Sequence, residues 1–324
     1  MRNLFIIFIL FLVAYSCTEQ YDLKVKSKEP RLVVEGTVTN QDGPNYVRLT
    51  KSSFDFNIDY NIRPIYDSTS FYSSDRAIPV QDAKVYITDN NTLFTDTLVP
   101  CSAGKWIIFF VDTINNRVSK EFRIPTQSIS FGYYETSKLK GVAGHTYSLT
   151  VKWQNKEFHA KSYMPPVPAI DSVHFNFTKG EIGKYDFNIP LIYFKEPQNE
   201  RNYYLFHTSE GGGSAWAYSI LSDEYLKNYV NGLDVCKGVS PDYWRTAYPM
   251  VSDDGKIQDG YFIEMHSITK EAYEYYKALL QQFKTDGGGY SPSPASPPTN
   301  LDNGALGFFR ASAVNRIDFK ADRN

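Results

Sequence analysis

After residue 30, single apolar residues alternate with polar ones along much of the chain. Within residues 31–39, Leu32, Val34, Gly36 and Val38 fall on one face, which is typical of a half-buried strand. Similar short segments recur at residues 46–49, 80–88, 92–98, 106–111, 122–124, 145–153 and 158–163. Short strands with turn signals about every 8–12 residues predict an antiparallel β-sandwich.

Two segments interrupt this pattern. Residues 52–79 are aromatic and polar without clean periodicity, so we predict a long loop, and loops of that length are often functional. Residues 164–170 contain three prolines, which cannot pair inside a sheet and favour a stiff extended link. We therefore predict a β-sandwich domain over residues 31–163, a linker over 164–170 and a second β-rich domain over 171–324.

The second region combines strands with two helical signals. Strands are predicted at residues 173–177, 185–194, 203–208 and 261–266, and in a last segment that includes Ile317 and Phe319. A helix over about 270–284 follows Thr269, its predicted N-cap. A shorter helix is predicted from Ser222 through Tyr229, ended by Gly232. The glycines of residues 300–309 suit a tight turn into a strand with a close neighbour.

Residues 140–147 resemble the closing hairpin of fibronectin-type and carboxypeptidase-regulatory-like modules. The predicted fold class is thus mostly β. An N-terminal sandwich of immunoglobulin or fibronectin type is followed by a second β-rich domain with one or two short helices.

The first seventeen residues have the layout of a secretory signal. A short positive segment with Arg2 precedes an apolar run from Leu4 to Val13, which is too short to span a bilayer comfortably. Residues 14–17 resemble the bacterial lipobox, so we predict a signal peptide over residues 1–16 and lipidation of Cys17. Residues 17–30 would form a lipidated tether. Its acidic residues loosely resemble the signal that sends Bacteroidota lipoproteins to the cell surface.

Composition narrows the function further. The formal net charge is −2, with 34 Lys and Arg against 36 Asp and Glu, which argues against nucleic-acid binding. No apolar run after the signal is long enough to span a membrane. Cys101 and Cys236 lie in different predicted domains. A disulfide between them is possible in an exported protein, but we expect buried thiols instead.

Catalytic motifs are missing from the sequence. The five histidines show no zincin spacing, and no nucleophile elbow or Walker loop occurs. His145 and His159 could meet across a hairpin, but ordinary strand histidines are the favoured interpretation. Asp253, Asp254 and Asp259 are weak candidates for a calcium site, and a solvated turn is favoured there. We therefore predict no catalytic residues, no cofactor and no metal.

The aromatic content of 16% has two interpretations. Tyr and Phe fill strand positions in β proteins, and they also line surfaces that bind partners or sugars. Aromatic residues in irregular polar stretches are harder to assign to a core. The predicted contact surface consists of Phe54, Phe56, Tyr60, Tyr66, Phe71, Tyr72, Tyr218, Tyr243, Trp244 and Tyr248.

Several segments, in this order, resemble the domain-of-unknown-function 4249 family of Bacteroidota lipoproteins. They are the lipobox, residues 28–40, residues 80–87, the Pro-rich link before residues 170–173, the Tyr-rich helix and residues 300–309. The resemblance implies an outer-membrane lipoprotein that is often encoded beside a SusC-like TonB-dependent receptor. It implies no catalytic residues.

The leading expectation is a non-enzymatic lipoprotein, anchored in the outer membrane and facing the cell surface. It would assist a TonB-dependent nutrient transporter by binding the nutrient or the extracellular loops of the barrel. A structural subunit of an outer-membrane assembly or secretion complex is the alternative. A glycan hydrolase is the third possibility.

Overall fold

The structure is a computed structural model that describes residues 29–52, 78–101, 106–112, 117–123, 132–178, 187–198, 200–208, 217–235, 261–284 and 296–319. Strands account for most of this part of the chain, and one α-helix is present in it. The predicted mostly β fold class is confirmed.

The first ten strands precede the Pro-rich segment. They are β1 (Leu32–Thr39), β2 (Tyr46–Lys51), β3 (Ile78–Pro79), β4 (Lys84–Asp89), β5 (Phe94–Pro100), β6 (Trp106–Asp112), β7 (Arg117–Arg123), β8 (Tyr133–Glu135), β9 (Thr146–Trp153) and β10 (Lys156–Tyr163). Seven more strands and the helix follow it. They are β11 (Ile170–Thr178), β12 (Phe187–Lys195), β13 (Tyr203–Thr208), β14 (Ala217–Ser222), β15 (Tyr229–Asp234), β16 (Tyr261–Ile268), α1 (Lys270–Lys284) and β17 (Leu306–Phe319).

Twelve of the described strands form one long sheet. Its order is β10-β9-β4-β5-β8-β2-β1-β17-β16-β13-β14, with β3 beside β2. Strands β11, β12 and β15 form a three-stranded sheet, and β6 pairs with β7. The central strand β1 is antiparallel to β2 and parallel to β17. The first and last described strands are therefore neighbours in the middle of the sheet.

The first core lies where the long sheet folds over itself. Alternate residues of β1, β2, β4, β9 and β10 point into this core and are buried, as their apolar–polar alternation predicts. Strand β10 packs across β17, where the Ala311 N–H donates a hydrogen bond to Ser162 Oγ at 2.9 Å. Two facing layers with an apolar interior make this half a β-sandwich.

The second half of the sheet, formed by β13, β14, β16 and the end of β17, is covered on both faces. On one face, the buried residues Tyr204, Phe206, Ile263 and Met265 pack with residues of the three-stranded sheet. On the opposite face, Leu205, Ile268 and Phe308 pack against α1, whose Ala272 is fully buried. Both faces of these strands therefore lie inside the protein.

Strand β17 belongs to both halves. Its first part pairs with β1 and places Phe309 and Ala311 in the first core, whereas its last part pairs with β16. Gly307 makes this possible because it has a φ of 90° and sits against the backbone of Val34, where a side chain would not fit. The predicted close approach is thus observed at Gly307. The division of the chain at residues 164–170 stays a prediction.

One predicted helix is present and the other is not. Helix α1 covers the predicted range, and Thr269 Oγ1 accepts a hydrogen bond from the Ala272 N–H at 3.3 Å. The helix predicted from Ser222 to Tyr229 is wrong. A single 3-10 turn spans Asp223–Tyr225, Ser222 makes no side-chain cap, and β15 starts at Tyr229. Ser222 instead ends β14, where it pairs with Tyr203, and Tyr229 begins β15, so strand pairing at both ends of the segment overrides the local helical signal.

Candidate functional site

A row of three residues, His207, Glu264 and Arg316, crosses three neighbouring strands in the second half of the sheet. In β16, Glu264 and His266 lie two positions apart and therefore share a face. The strand register sets His207 of β13 directly opposite Glu264 on one side. It sets Arg316 of β17 opposite Glu264 on the other side. The strand pairing thus brings side chains from three strands together at the Glu264 carboxylate. They lie on the face of the sheet that α1 covers.

One oxygen of Glu264 faces the two histidines. Oε2 lies 3.4 Å from His207 Nδ1 and 3.4 Å from His266 Nε2. The two imidazole rings are 4.3 Å apart between centroids. The other ring nitrogen of His266, Nδ1, lies 3.3 Å from the Ser312 hydroxyl. Three potential ligand atoms therefore lie within 4.8 Å of one another, on His207, Glu264 and His266.

The other oxygen of Glu264 is held by different groups. Gln41 Nε2, from the segment between β1 and β2, donates to Oε1 at 2.7 Å. Arg316 Nη1 donates to the same oxygen at 3.4 Å. The Arg316 guanidinium also binds Asp318, with Nη2 at 2.6 Å from Oδ1, and lies 3.9 Å above the Phe262 ring. The carboxylate is thus fixed in orientation, with Oε2 turned to the histidines.

Burial and hydrogen bonding together set the protonation states of Glu264, His207 and His266. Burial alone would raise the pKa of Glu264, but the hydrogen bonds from His207 and His266 outweigh it and lower that pKa strongly. Burial, together with the neighbouring His207 and the positive charge of Arg310, lowers the pKa of His266 to about 3. Burial likewise lowers the pKa of His207. At pH 7 the site therefore holds an ionised carboxylate between two neutral imidazoles.

Arg310 carries a second positive charge into this region of β17. It is 4% exposed, and its Cζ lies 5.4 Å from the centroid of the Tyr276 ring on α1. Within the described part of the chain, its Nε and Nη1 have no hydrogen-bond acceptor. A buried charged donor without an acceptor costs about 1–3 kcal/mol or more. Arg310 therefore has two buried donors whose hydrogen-bonding capacity the described residues do not use.

Most residues predicted as a contact surface lie outside the described residues. This holds for Phe54, Phe56, Tyr60, Tyr66, Phe71, Tyr72, Tyr243, Trp244 and Tyr248, for the weak metal candidates Asp253, Asp254 and Asp259, and for Cys17 and Cys236. Tyr218 is the exception, because the register places it in β14 opposite His207. Cys101 Sγ lies 3.7 Å from Glu135 Oε2.

The histidines in the first half behave as ordinary strand or turn residues. His145 Nδ1 lies 2.9 Å from Asp89 Oδ2, and His159 Nε2 lies 3.8 Å from Glu157 Oε2. The two rings have separate partners, so the hairpin does not bring them together.

Sequence reasoning missed the cluster around Glu264. Its one local signal is the pair Glu264 and His266, which share a face of a predicted strand. The third member, His207, is in another predicted strand, and no motif links strands so far apart. Their meeting depends on the register between β13 and β16.

The fold and site together define a class, namely a mostly β protein with a buried histidine–carboxylate–arginine cluster that three strands carry on the face covered by a helix. The family described as "Domain of unknown function (DUF4249)" matches residues 18–318, so the chain belongs to this family. No curated protein matches the chain.

Among solved structures, a two fibronectin type-III domain segment from chicken tenascin is similar at 10% identity. The alignment covers 90% of this chain and 99% of that chain, with a TM-score of 0.18. Of the described helical residues, none form a helix that is both long and apolar enough to cross a bilayer.

Proposed function

We propose that this protein is a non-enzymatic, lipid-anchored protein of the outer-membrane surface that binds an anionic ligand for a SusC-like TonB-dependent transporter. The lipobox-like segment that ends at Cys17 supports the anchor. The family match begins at residue 18, directly after it, as expected for a mature lipoprotein. The TonB-dependent partner rests on the implied family association.

Arg310 is the observation that carries ligand binding. Its guanidinium is buried beside Tyr276, and no acceptor among the described residues takes up its Nε and Nη1 donors. Arg316, by contrast, is held by Asp318 and Glu264. A carboxylate or phosphate group that reached Arg310 would gain charge-assisted hydrogen bonds in a site from which water is largely excluded.

Exposed tyrosines near β15 support a contact with a partner protein. Tyr225 is 88% exposed and Tyr229 is 49% exposed, and both belong to the aromatic stretch before residue 230. Strand β15 is also an edge of the three-stranded sheet. An edge strand flanked by exposed tyrosines can pair with a loop of a partner.

Co-purification tests the partner. A tagged, lipidated protein would be extracted from outer membranes in a gentle detergent, and co-purifying chains would be identified by mass spectrometry. We expect one TonB-dependent barrel in stoichiometric amount, and we expect Tyr225→Ser with Tyr229→Ser to reduce it. Tyr163→Ser, at a tyrosine of β10 that is 44% exposed, is the matched control.

Other outcomes favour the remaining possibilities. A barrel-assembly or secretion complex would favour a structural subunit. Turnover of a glycan that one carboxylate substitution abolishes would favour an enzyme.

A thermal-shift series with acetate, succinate, citrate and phosphate tests the anion site. We expect stabilisation by at least one of them and its loss in Arg310→Met. Arg48→Met is the control, because Arg48 also lies near a tyrosine ring, 5.5 Å from Tyr133, but is paired with Glu35. Equal shifts in wild type and Arg310→Met would contradict the assignment.

A further inference from the structure

The three atoms that face one another around Glu264 Oε2 are metal-ligand atoms. Two imidazole nitrogens and one carboxylate oxygen form the His₂Glu set that occurs in zinc enzymes. A fully buried network could instead be a stabilising set of hydrogen bonds. Geometry and the surrounding contacts decide between these two interpretations.

The distances fit a tetrahedral ion. With ligand bonds of about 2.0–2.1 Å, neighbouring ligand atoms of a tetrahedral site lie about 3.4 Å apart. Oε2 lies 3.4 Å from both His207 Nδ1 and His266 Nε2. As hydrogen bonds these two contacts are long. The third edge, between the imidazoles, is within 4.8 Å and closes by rotation of the rings.

The outer contacts of two of the three ligands, His266 and Glu264, also match those of a metal site. Metal-binding histidines usually hold a partner at their second ring nitrogen, and ligating carboxylates are themselves hydrogen-bonded. His266 Nδ1 meets the Ser312 hydroxyl, and Glu264 Oε1 is held by Gln41 and Arg316. Each contact uses the atom that a metal ion at the centre would leave unbound.

We propose that His207 Nδ1, Glu264 Oε2 and His266 Nε2 bind one divalent transition-metal ion of the zinc class. Imidazole with a single carboxylate favours zinc and its neighbours over calcium or magnesium, which take mostly oxygen ligands. Three protein ligands leave one coordination position for an exogenous group. The site is independent of the proposed transport role.

Arg310 makes a distinctive prediction for this site. Its positive charge acts on both histidines, so it also repels a bound cation. Removing that charge in Arg310→Met should tighten metal binding, whereas the same variant should weaken binding of an anion alone. The proposed metal site and the proposed anion site at Arg310 can therefore be contradicted independently of each other.

The test is equilibrium metal binding to metal-stripped protein without a histidine tag. Zn²⁺ is followed by calorimetry and Co²⁺ by its visible absorption, which reports tetrahedral coordination. We expect one ion per chain and a loss of affinity of about 100-fold or more in Glu264→Gln and in His266→Asn, in line with the effect of ligand-shell substitutions. Ser312→Ala should cost about 10-fold and should leave the fold intact.

The controls come from an exposed pair with the same chemistry. Glu157 and His159 lie 3.8 Å apart on β10, and both side chains are half exposed. Glu157→Gln and His159→Asn should bind as wild type does. Absence of binding at millimolar Zn²⁺ and Co²⁺ would overturn the proposal. So would binding that Glu264→Gln, His266→Asn and Ser312→Ala all retain, or binding that the control substitutions abolish.

Discussion

The two halves of the long sheet bury carboxylates in different ways. In the first half, Asp96 Oδ2 accepts hydrogen bonds from the backbone N–H groups of Ser137, Lys138 and Leu139 at 2.9, 2.6 and 2.7 Å. In the second half, the contacts that hold the Glu264 carboxylate come from side chains.

This difference affects how easily the two carboxylates can change their partners. Backbone amides cannot leave Asp96 without unfolding the segment that it holds, so Asp96 fixes a loop. Side chains can rotate, and those around Glu264 can exchange one partner for a ligand. We infer that the first half of the sheet is the scaffold and the second half carries the binding chemistry.

The largest effect should come from the strand that both halves share. Gly307→Ala places a Cβ against the Val34 carbonyl and also strains a residue with a φ of 90°. Since this separates β1 from β17, we expect a loss of about 4 kcal/mol or more in the free energy of unfolding, measured in urea.

Gly304→Ala is the matched control for this substitution. Its φ is 77°, but a Cβ there meets no atom within 4 Å. It should cost only the conformational strain, about 1 kcal/mol. Equal losses in the two variants would show that close strand packing at Gly307 is unimportant.

Asp96→Ala tests the scaffold half. The substitution leaves three backbone N–H groups without their charged acceptor, and we expect a loss of about 3 kcal/mol. Urea unfolding gives the value. Asp302→Ala is the control, because the exposed Asp302 accepts one backbone N–H, from His159 at 2.6 Å, and should cost less than about 1 kcal/mol. If Asp96→Ala lost no more stability than Asp302→Ala, Asp96 would have no special role in holding residues 137–139.

Glu264→Gln tests the other half. The neutral amide keeps the volume of the side chain but has one acceptor where the carboxylate has two, so we expect a loss of about 2 kcal/mol without metal. Urea unfolding of metal-stripped protein measures it. Glu157→Gln, at an exposed carboxylate paired with Lys152 at 2.7 Å, should change stability far less. An unchanged Glu264→Gln protein would mean that the carboxylate is not needed in the folded state.

Glu196 gives the smallest effect, and it depends on pH. Burial raises the pKa of this carboxyl, although Tyr204 and Asn202 donate hydrogen bonds to it. The folded protein therefore takes up the proton at a higher pH than the unfolded chain does. Stability from this group is highest at low pH and falls as pH rises through the raised pKa.

Glu196→Gln should remove this pH dependence. We expect the stability of the variant relative to wild type to be greater at pH 8 than at pH 5. Unfolding in urea at both pH values gives the comparison. Parallel stability curves for wild type and variant would contradict the assigned pKa shift.

The sequence predicts the elements much better than the site. Alternation in residues 31–39 marks a strand because one of its faces is buried, and α1 follows from its cap and stripe. Such signals are local. The segment Ser222–Tyr229 was mispredicted because its two ends pair with other strands, Ser222 with β13 and Tyr229 with β12.

The cluster around Glu264 is not local in this sense. Its members His207, Glu264 and Arg316 meet only through two strand registers, and a shift of one residue in either would turn a side chain to the other face. A single sequence does not state which strands are neighbours. In the sequence these three residues therefore look like isolated polar residues, and only the strand pairing shows that they are neighbours.

The parallel pairing of β1 with β17 also affects the order in which parts of the sheet can form during synthesis and folding. Val33 is made early and its partner Leu306 near the end, so one edge of the central strand waits for almost the whole chain. Contacts between such distant positions form slowly, and an unpaired edge invites association with other chains. The parallel pairing cannot form before β17 has been made, so this edge of β1 stays without that partner until then.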